Sequence, residues 1–300
     1  MRVFFHPSYI HPVPEGHKFP MEKYDLIPRQ LVYEGVIDTI QLSEPDPIAL
    51  PYVFLAHDEV YVNQLLEGTL TPREQRVTGF VHDSALIERE LRIMEGTRLA
   101  AQYALEHTSI GFNIAGGTHH AYANRGEGFC LLNDQAIAAH WLLDHTHIKR
   151  ILIIDLDVHQ GNGTAAIFQD NSQVFTFSMH GKNNYPLHKE QSDLDVALLD
   201  GCSDEVYLSE LQLALNQIIS QFQPEFIFYQ CGVDILYSDS LGKLAVSMEG
   251  CKERDRLVFE FASLLGVPVV CSMGGGYSKD IRLIVDAHVN TYKIAGSYWG

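Results

Sequence analysis

The chain has 300 residues, 46% hydrophobic and 20% charged, the composition of an ordinary globular protein able to bury a large core. Its net charge of −17 is spread along the chain, which argues against direct nucleic-acid binding through phosphates and leaves a field that draws cations. Cys130, Cys202, Cys231, Cys251 and Cys271 are scattered without a C-x-x-C pair, which excludes a disulfide framework and a thiolate metal site and fits a reducing, cytoplasmic setting. No apolar run reaches the ~18 residues of a membrane span, and the opening run breaks at His6-Pro7, too early for a signal peptide.

In chain order, residues 2–5 read as a strand. Residues 6–30 hold His6, Pro7, His11, Pro12, Pro14, Gly16, His17 and Pro20 and read as a loop, packed near a site rim through Tyr9, Phe19 and Tyr24. Residues 52–56 are a short apolar run, 58–67 a helix, and 69–88 a polar loop that runs into a helix start. Residues 88–107 carry a helical stripe at Leu91, Met94, Leu99, Ala100 and Tyr103. A strand at 110–115 ends in Gly116-Gly117-Thr118-His119-His120, and 134–145 is a helix with Asp134 near its start. The run Ile151-Leu152-Ile153-Ile154 is a buried strand that leads into Asp155-Leu156-Asp157-Val158-His159-Gln160-Gly161-Asn162-Gly163. Then follow a strand at 173–178, a helix at 204–222, a strand at 226–230 before Cys231-Gly232-Val233-Asp234, and a helix at 250–265. A last strand at 267–272 leads into Met273-Gly274-Gly275-Gly276-Tyr277, and a helix at 279–294 closes the chain.

Strands alternate with helices from residue 110 onward, which predicts an α/β fold with a parallel sheet covered on both faces, in one domain over residues 1–300. His119, His120, Asp157, His159, Asp234 and Tyr277 all follow predicted strands. Ligands of open α/β sheets bind at the carboxyl ends of strands, so these residues are expected to build one site.

On an extended chain Asp155, Asp157 and His159 share one face. Asp157, His159 and Asp234 are the expected metal ligands, leaving one position of a tetrahedral Zn²⁺ open for water. The metal would acidify that water and polarise a carbonyl oxygen. Two carboxylates and one imidazole form a harder set than a His-rich zinc site, so Fe²⁺ or Co²⁺ suits it as well. In a turn after Gly116-Gly117, His119 and His120 can both face the metal-bound water, one as general base and one as acid or electrostatic partner. Asp155 is placed to accept Nδ1–H from one of them, and Asn162 from the other. A carboxylate raises an imidazole's pKa and a neutral amide does not, so the Asn-paired histidine is the expected base. The Tyr277 hydroxyl, following three glycines, can donate to a developing oxyanion.

These residues resemble the zinc-dependent histone deacetylases of the arginase/deacetylase superfamily. The matching pieces are Gly116-Gly117-Thr118-His119-His120-Ala121, Gly128-Phe129-Cys130, Asn133-Asp134, the 155–163 stretch, Ser192-Asp193-Leu194-Asp195-Val196, Gly201 with Asp204-Glu205, Gln230-Cys231-Gly232-Val233-Asp234 and Gly274-Gly275-Gly276-Tyr277. The resemblance implies a three-layer α/β/α fold with a narrow tunnel to the metal, ligands at Asp157, His159 and Asp234, the His119/His120 pair, and Tyr277 as the carbonyl-polarising group. It also implies an acyl-lysine stem held between Phe129 and Tyr185, with the Gly128 carbonyl accepting the substrate N–H and Leu241 and Gly275 as further substrate contacts. A structural potassium ion would sit at Asp155, Asp157, His159, Ser178 and Met179. Asn162 stands where class I enzymes have Asp. With Gln160 and the His11-to-His17 opening, it makes the chain most similar to class IV enzymes and their bacterial relatives. Met273 replaces the first glycine of a four-glycine version, which is expected to stiffen the Tyr277 loop. Leu241 occupies the position of a gatekeeper Glu in polyamine-specific relatives, which counts against an acetylpolyamine substrate. The resulting expectation is a deacylase of the lysine ε-amine. An acetylpolyamine or small-amide deacetylase is the alternative enzyme, and a non-catalytic acyl-lysine binder the alternative of another class.

Overall fold

The computed structural model describes residues 1–299. In chain order its strands are β1 (Arg2–Phe4), β2 (Leu42–Ser43), β3 (Ile110–Asn113), β4 (Ile151–Asp155), β5 (Val174–Gly181), β6 (Leu194–Leu198), β7 (Phe226–Gln230) and β8 (Val269–Ser272). The helices are α1 (Lys23–Tyr33), α2 (Leu50–Val53), α3 (Glu59–Glu67), α4 (Pro72–Thr78), α5 (Ser84–His107), α6 (Asp134–His145), α7 (Asn162–Phe168), α8 (Asp204–Gln221), α9 (Met248–Leu265) and α10 (Ile281–Trp299). The eight strands form one sheet of order β2-β1-β3-β8-β7-β4-β5-β6, and every pairing is parallel.

The central strands are apolar along their whole length because both faces are covered. Every residue of β3, β4, β7 and β8 is buried. One helical layer holds α5, which packs on β1, β3, β8 and α6, and α7, which packs on α6 and β5. The other runs α1, α10, α9, α8, each against the next, with α8 also on β6. The result is the α/β/α arrangement expected from the alternation of elements.

Register decides where the loops emerge. Asn113 pairs with Ser272, Ser272 with Gln230, and Gln230 with Asp155. The last residues of β3, β8, β7 and β4 therefore form one row across four neighbouring strands. The loops carrying His119, Tyr277, Asp234 and Asp157 leave the sheet from that row.

Several local expectations change. Residues 23–30, expected as loop, lie in α1, which carries Pro28 inside it and buries Tyr24, Ile27 and Leu31. The 69–88 stretch holds a helix of its own, α4. The strand expected to carry Asp157 and His159 ends at Asp155. Beyond it the Asp157 N–H donates to Asp155 Oδ1 at 3.1 Å, and the His159 N–H donates to Asp157 Oδ1 at 3.0 Å. Two successive side-chain-to-backbone turns thus replace the sheet ladder. They bring the residues to the site by turning the chain, not by extending it.

Candidate active site

Asp157, His159 and Asp234 are all buried and offer donor atoms within 4.8 Å of one another. His159 Nδ1 lies 3.0 Å from Asp157 Oδ1 and 3.1 Å from Asp234 Oδ2. Ligand bonds of about 2.0–2.1 Å at tetrahedral angles separate donors by about 3.3 Å, so this set fits a small divalent ion. The backbone fixes both carboxylates. Asp157 Oδ2 accepts the Gly275 N–H at 2.7 Å, and Asp234 Oδ1 accepts the Val158 N–H at 2.9 Å. A Cβ on residue 275 would meet Asp234 Oδ2 at 2.0 Å, so only glycine lets the backbone approach this closely. Gly275, expected as a substrate contact, lines the inner recess and commits its N–H to Asp157.

The charges in this set ask for a cation. Burial and the neighbouring Asp157 push the Asp234 carboxyl up to about 7. Burial works against a charged His159, but its hydrogen bonds to Asp157 and Asp234 outweigh that and push it up to about 10. A proton on Nδ1 between two buried carboxylates holds the place that a dication would take.

His119 and His120 sit beside the triad, their rings 4.0 Å apart. His119 Nδ1 meets Asp155 Oδ2 at 2.6 Å, and His120 Nδ1 meets Asn162 Oδ1 at 2.6 Å. The Asn162 amide is itself oriented, because its Nδ2 donates to the Tyr122 hydroxyl at 3.0 Å and to Glu127 Oε1 at 3.3 Å. Its oxygen must therefore accept from His120 Nδ1–H, which leaves His120 Nε2 as a free lone pair. Burial lowers the His119 pKa, but the Asp155 and Asp157 charges outweigh it and the net shift is upward. Burial, followed by the charges of His119 and His159, takes His120 well below the ordinary histidine value.

Phe19, His119, His120, Gly128, Phe129, Asp157, His159, Gly275 and Tyr277 all line one narrow inner recess. The Tyr277 ring centroid is 6.3 Å from that of His159. Burial and the Asp157 and Asp234 charges hold the Tyr277 hydroxyl protonated, its pKa raised well above the usual phenol value. Gly128 and Phe129 both have positive φ, 55° and 66°. For Phe129 this is a conformation that side chains rarely adopt. A Cβ at Gly128 would meet His120 Cδ2 at 2.7 Å, so the turn presses against the base. Outside lies a second recess of about 410 Å³ lined by Lys18, Tyr185, Leu241, Lys243 and Tyr277 among others. No carboxylate lines it. The Tyr185 hydroxyl donates to Glu127, and the Tyr185 ring stands edge-on to His120 at 5.0 Å. Ser178, expected around a potassium ion, pairs with Asp155 at the end of β4, and Met179 follows it in β5.

Three contributors were not singled out from the sequence for these contacts. Asp134 accepts from Thr118 N at 2.9 Å, Thr118 Oγ1 at 2.9 Å, Thr97 Oγ1 at 2.7 Å and Ser272 Oγ at 2.9 Å, which anchors the turn before His119. Buried Lys23 donates to the Gly274 carbonyl at 3.0 Å. Asp239 accepts the Tyr277 N–H at 2.6 Å. For Asp134, the helix-start pattern Asn133-Asp134 was a signal, although the cap itself is Asn133.

The chain resembles known proteins along most of its length. A family model described as the histone deacetylase domain matches residues 17–292. An uncharacterized protein of Picosynechococcus sp. is 45% identical over 293 residues, covering 98% of this chain and 97% of that protein. Histone deacetylase 2 of Arabidopsis thaliana is 33% identical over 284 residues, covering 91% of this chain and 73% of the plant protein. Among solved structures, a histone deacetylase homologue complexed with SAHA superposes with a TM-score of 0.85 at 26% identity, covering 99% of this chain and 84% of the other. A homologue from Aquifex aeolicus gives 0.84 at 25% identity, with coverage of 99% and 84%.

Proposed function

The chain belongs to the histone deacetylase family, and from that premise we propose that it is a metal-dependent amidohydrolase that removes acetyl or longer acyl groups from the ε-amine of lysine. One observation carries the reading. Two buried imidazoles, one tied to a carboxylate and one to an amide, stand beside a buried Asp/His/Asp triad and a tyrosine ring. Asp157, His159 and Asp234 would hold a divalent ion, zinc by first choice and Fe²⁺ by second, which would supply an acidified water and a Lewis acid for the amide carbonyl. His120, neutral and with Nδ1–H committed to Asn162, takes the proton of the attacking water on Nε2. His119, held charged by Asp155, stabilises the negative charge that develops, and one of the two histidines returns a proton to the leaving amine. The protonated Tyr277 hydroxyl donates to the carbonyl oxygen as its charge grows, a contact worth ~3–4 kcal/mol in comparable sites. Phe129 and Tyr185 flank the lysine stem, and the Gly128 carbonyl accepts the amide N–H. A potassium ion at Asp155, Asp157, His159, Ser178 and Met179 belongs to the same reading, as does a cytoplasmic location for a chain whose five cysteines are free and buried.

The outer recess favours lysine over polyamine. An acylated polyamine keeps ammonium groups beyond its amide, and it would bring them to Lys18 and Lys243 with no lining carboxylate to receive them. An acyl-lysine side chain is neutral past the rim, and Leu241 adds an apolar wall. The test compares kcat/KM of the zinc-loaded protein on an acetyl-lysine peptide and an acetylated polyamine, each also carrying a long acyl chain. The peptide should win, and a K18E/K243E double variant should narrow the gap. Preference for the polyamine in the unaltered protein would overturn the lysine assignment, and peptide binding without turnover would support a non-catalytic acyl-lysine binder.

A further inference from the structure

Between β7 and α9 the chain crosses the outer recess at residues 238–242, where it meets the loop that follows β8. Besides the Val233 N–H, which donates to the Gly275 carbonyl at 2.9 Å, two hydrogen bonds join residues 238–239 to that loop. The Tyr277 N–H donates to Asp239 Oδ2 at 2.6 Å, and Ser238 Oγ meets Ser278 Oγ at 2.8 Å. The other carboxylate oxygen, Asp239 Oδ1, accepts the N–H groups of Leu241 and Gly242, each at 2.8 Å. One oxygen thus closes the rim turn, and the other reaches the backbone of a residue 38 positions away in sequence. Backbone donors to a carboxylate are charge-assisted and stronger than neutral hydrogen bonds.

Tyr277 sits two residues after the nearest upstream hydrogen bonds, where Gly275 donates to Asp157 and its carbonyl accepts the Val233 N–H. It follows Gly274, Gly275 and Gly276, of which the first and last have positive φ. Its ring rests against Phe19 and Phe129 at centroid distances of 6.0 and 6.2 Å, contacts that hold a plane but do not set a height. Its hydroxyl has no hydrogen-bond partner in the protein among the described residues, as a group reserved for substrate should not. The Tyr277 nitrogen is held by Asp239.

We propose that Asp239 is a positioning residue that sets the depth of the Tyr277 hydroxyl by holding its backbone, and that it ties this hydroxyl to the rim turn carrying Leu241. The proposal rests on the reading of Tyr277 as the group that acts on the carbonyl. Leu241 lies two residues from Asp239, and its own carbonyl accepts from Asn184 Nδ2 at 2.8 Å. A substrate leaning on Leu241 therefore pushes on a turn that shares one carboxylate with the catalytic loop. A displacement of about 1 Å in a reacting group costs on the order of 10²-fold in rate, so a small release is measurable.

The experiment is a double-mutant cycle on the metal-loaded enzyme with an acetyl-lysine peptide, using Asp239→Asn, Tyr277→Phe and the pair. Asn keeps an amide oxygen for the Leu241 and Gly242 N–H groups and turns an N–H₂ toward the Tyr277 N–H, so the hydrogen bond it breaks is the one at issue. Asp239→Asn should lower kcat by ~10–100-fold with KM within about twofold. Tyr277→Phe should lower kcat by ~10²–10³-fold, and the pair should be no slower than Tyr277→Phe alone. Additive losses in the pair, or an unchanged kcat in Asp239→Asn beside an inactive Tyr277→Phe, would overturn the role of Asp239 and leave that of Tyr277 intact. Full activity in Tyr277→Phe would remove Tyr277 from the mechanism, and the proposal with it. Should Asp239→Asn not fold, residue-resolved hydrogen exchange of the unaltered holoenzyme gives a separate reading. The Tyr277 amide should be protected like a strand amide, and exchange at the rate of an open loop would overturn the proposal.

Discussion

His119 and His120 are adjacent in the chain and share one environment, yet their pKa values are driven apart by what each Nδ1 meets. Asp155 places a charge on His119, while Asn162 gives His120 an acceptor without one. Burial and two neighbouring imidazoles then keep His120 neutral to well below the ordinary histidine range. A base works only when neutral, so activity limited by His120 is lost as pH falls through its pKa. Asn162→Asp would add a carboxylate at 2.6 Å and raise that pKa, so the acid limb of kcat/KM should move upward by ~1–2 pH units. A pH–rate profile reads this directly, and an unmoved limb would assign it to another group. The pairing was legible in the sequence because both acceptors lie in the same nine residues that carry Asp157 and His159. Asp239 and Lys23 were not legible in this way. Their partners are backbone atoms 38 and 251 residues away, and a lone carboxylate or ammonium in a loop carries no pattern.

Among the elements, the buried strands and most helices could be read because their apolar pattern is strong, whereas α1, α4 and β6 could not. Proline density pointed to loop across α1, but Tyr24, Ile27 and Leu31 recur at helical spacing and are buried, so tertiary packing overrides Pro28. The signal for α4 was present in Thr71-Pro72-Arg73-Glu74, a capping box with proline in the first turn. Strand β6, also unforeseen, lies at the sheet edge and mixes half-buried with exposed residues, a weak pattern over five positions. The start of α6 shows how a loop residue supports the site. His57 Nδ1 donates to the Tyr122 carbonyl at 3.0 Å, and its Nε2 accepts the Asn133 N–H at 2.9 Å, so the ring must be neutral to hold both. Burial lowers its pKa from 6.5 to about 4. Between those values the unfolded chain carries the extra proton, so stability falls as pH drops from 6.5 toward 4. The shift corresponds to ~3 kcal/mol. Urea midpoints measured across that range should decline in the unaltered protein and decline less in His57→Gln, while parallel slopes would show that other groups carry the acid sensitivity.

For the whole molecule, net charge is a poor guide to the site. A chain of −17 lines its outer recess with two lysines and no carboxylate, while Glu15, Glu22 and Asp25 line the larger recess that shares Lys18, Leu241 and Tyr277 with it. The sheet order has a stronger consequence. β8, formed by Val269–Ser272, lies between β3 and β7, so it alone joins β2-β1-β3 to β7-β4-β5-β6 through hydrogen bonds. The strand that comes last in sequence is thus fourth in a row of eight, at the centre of the sheet, and neither side can finish its ladder without it. The row of chemistry-bearing strand ends also runs through β8, since Ser272 pairs with both Asn113 and Gln230. We therefore expect the chain to behave as one cooperative domain. Far-UV circular dichroism and the fluorescence of Trp141 in α6, read in a Trp299→Phe background, should report one coincident urea transition, although Trp141 is remote from the C-terminal strand in sequence. Removing residues 266–300 should abolish that transition, because buried N–H and C=O groups of β3 and β7 would lose their partners on facing edges. Two separated transitions in the full chain, or a truncated chain that still unfolds cooperatively, would divide the molecule at β8 and place the His119 turn and the Asp157–Asp234 cluster in units that fold independently.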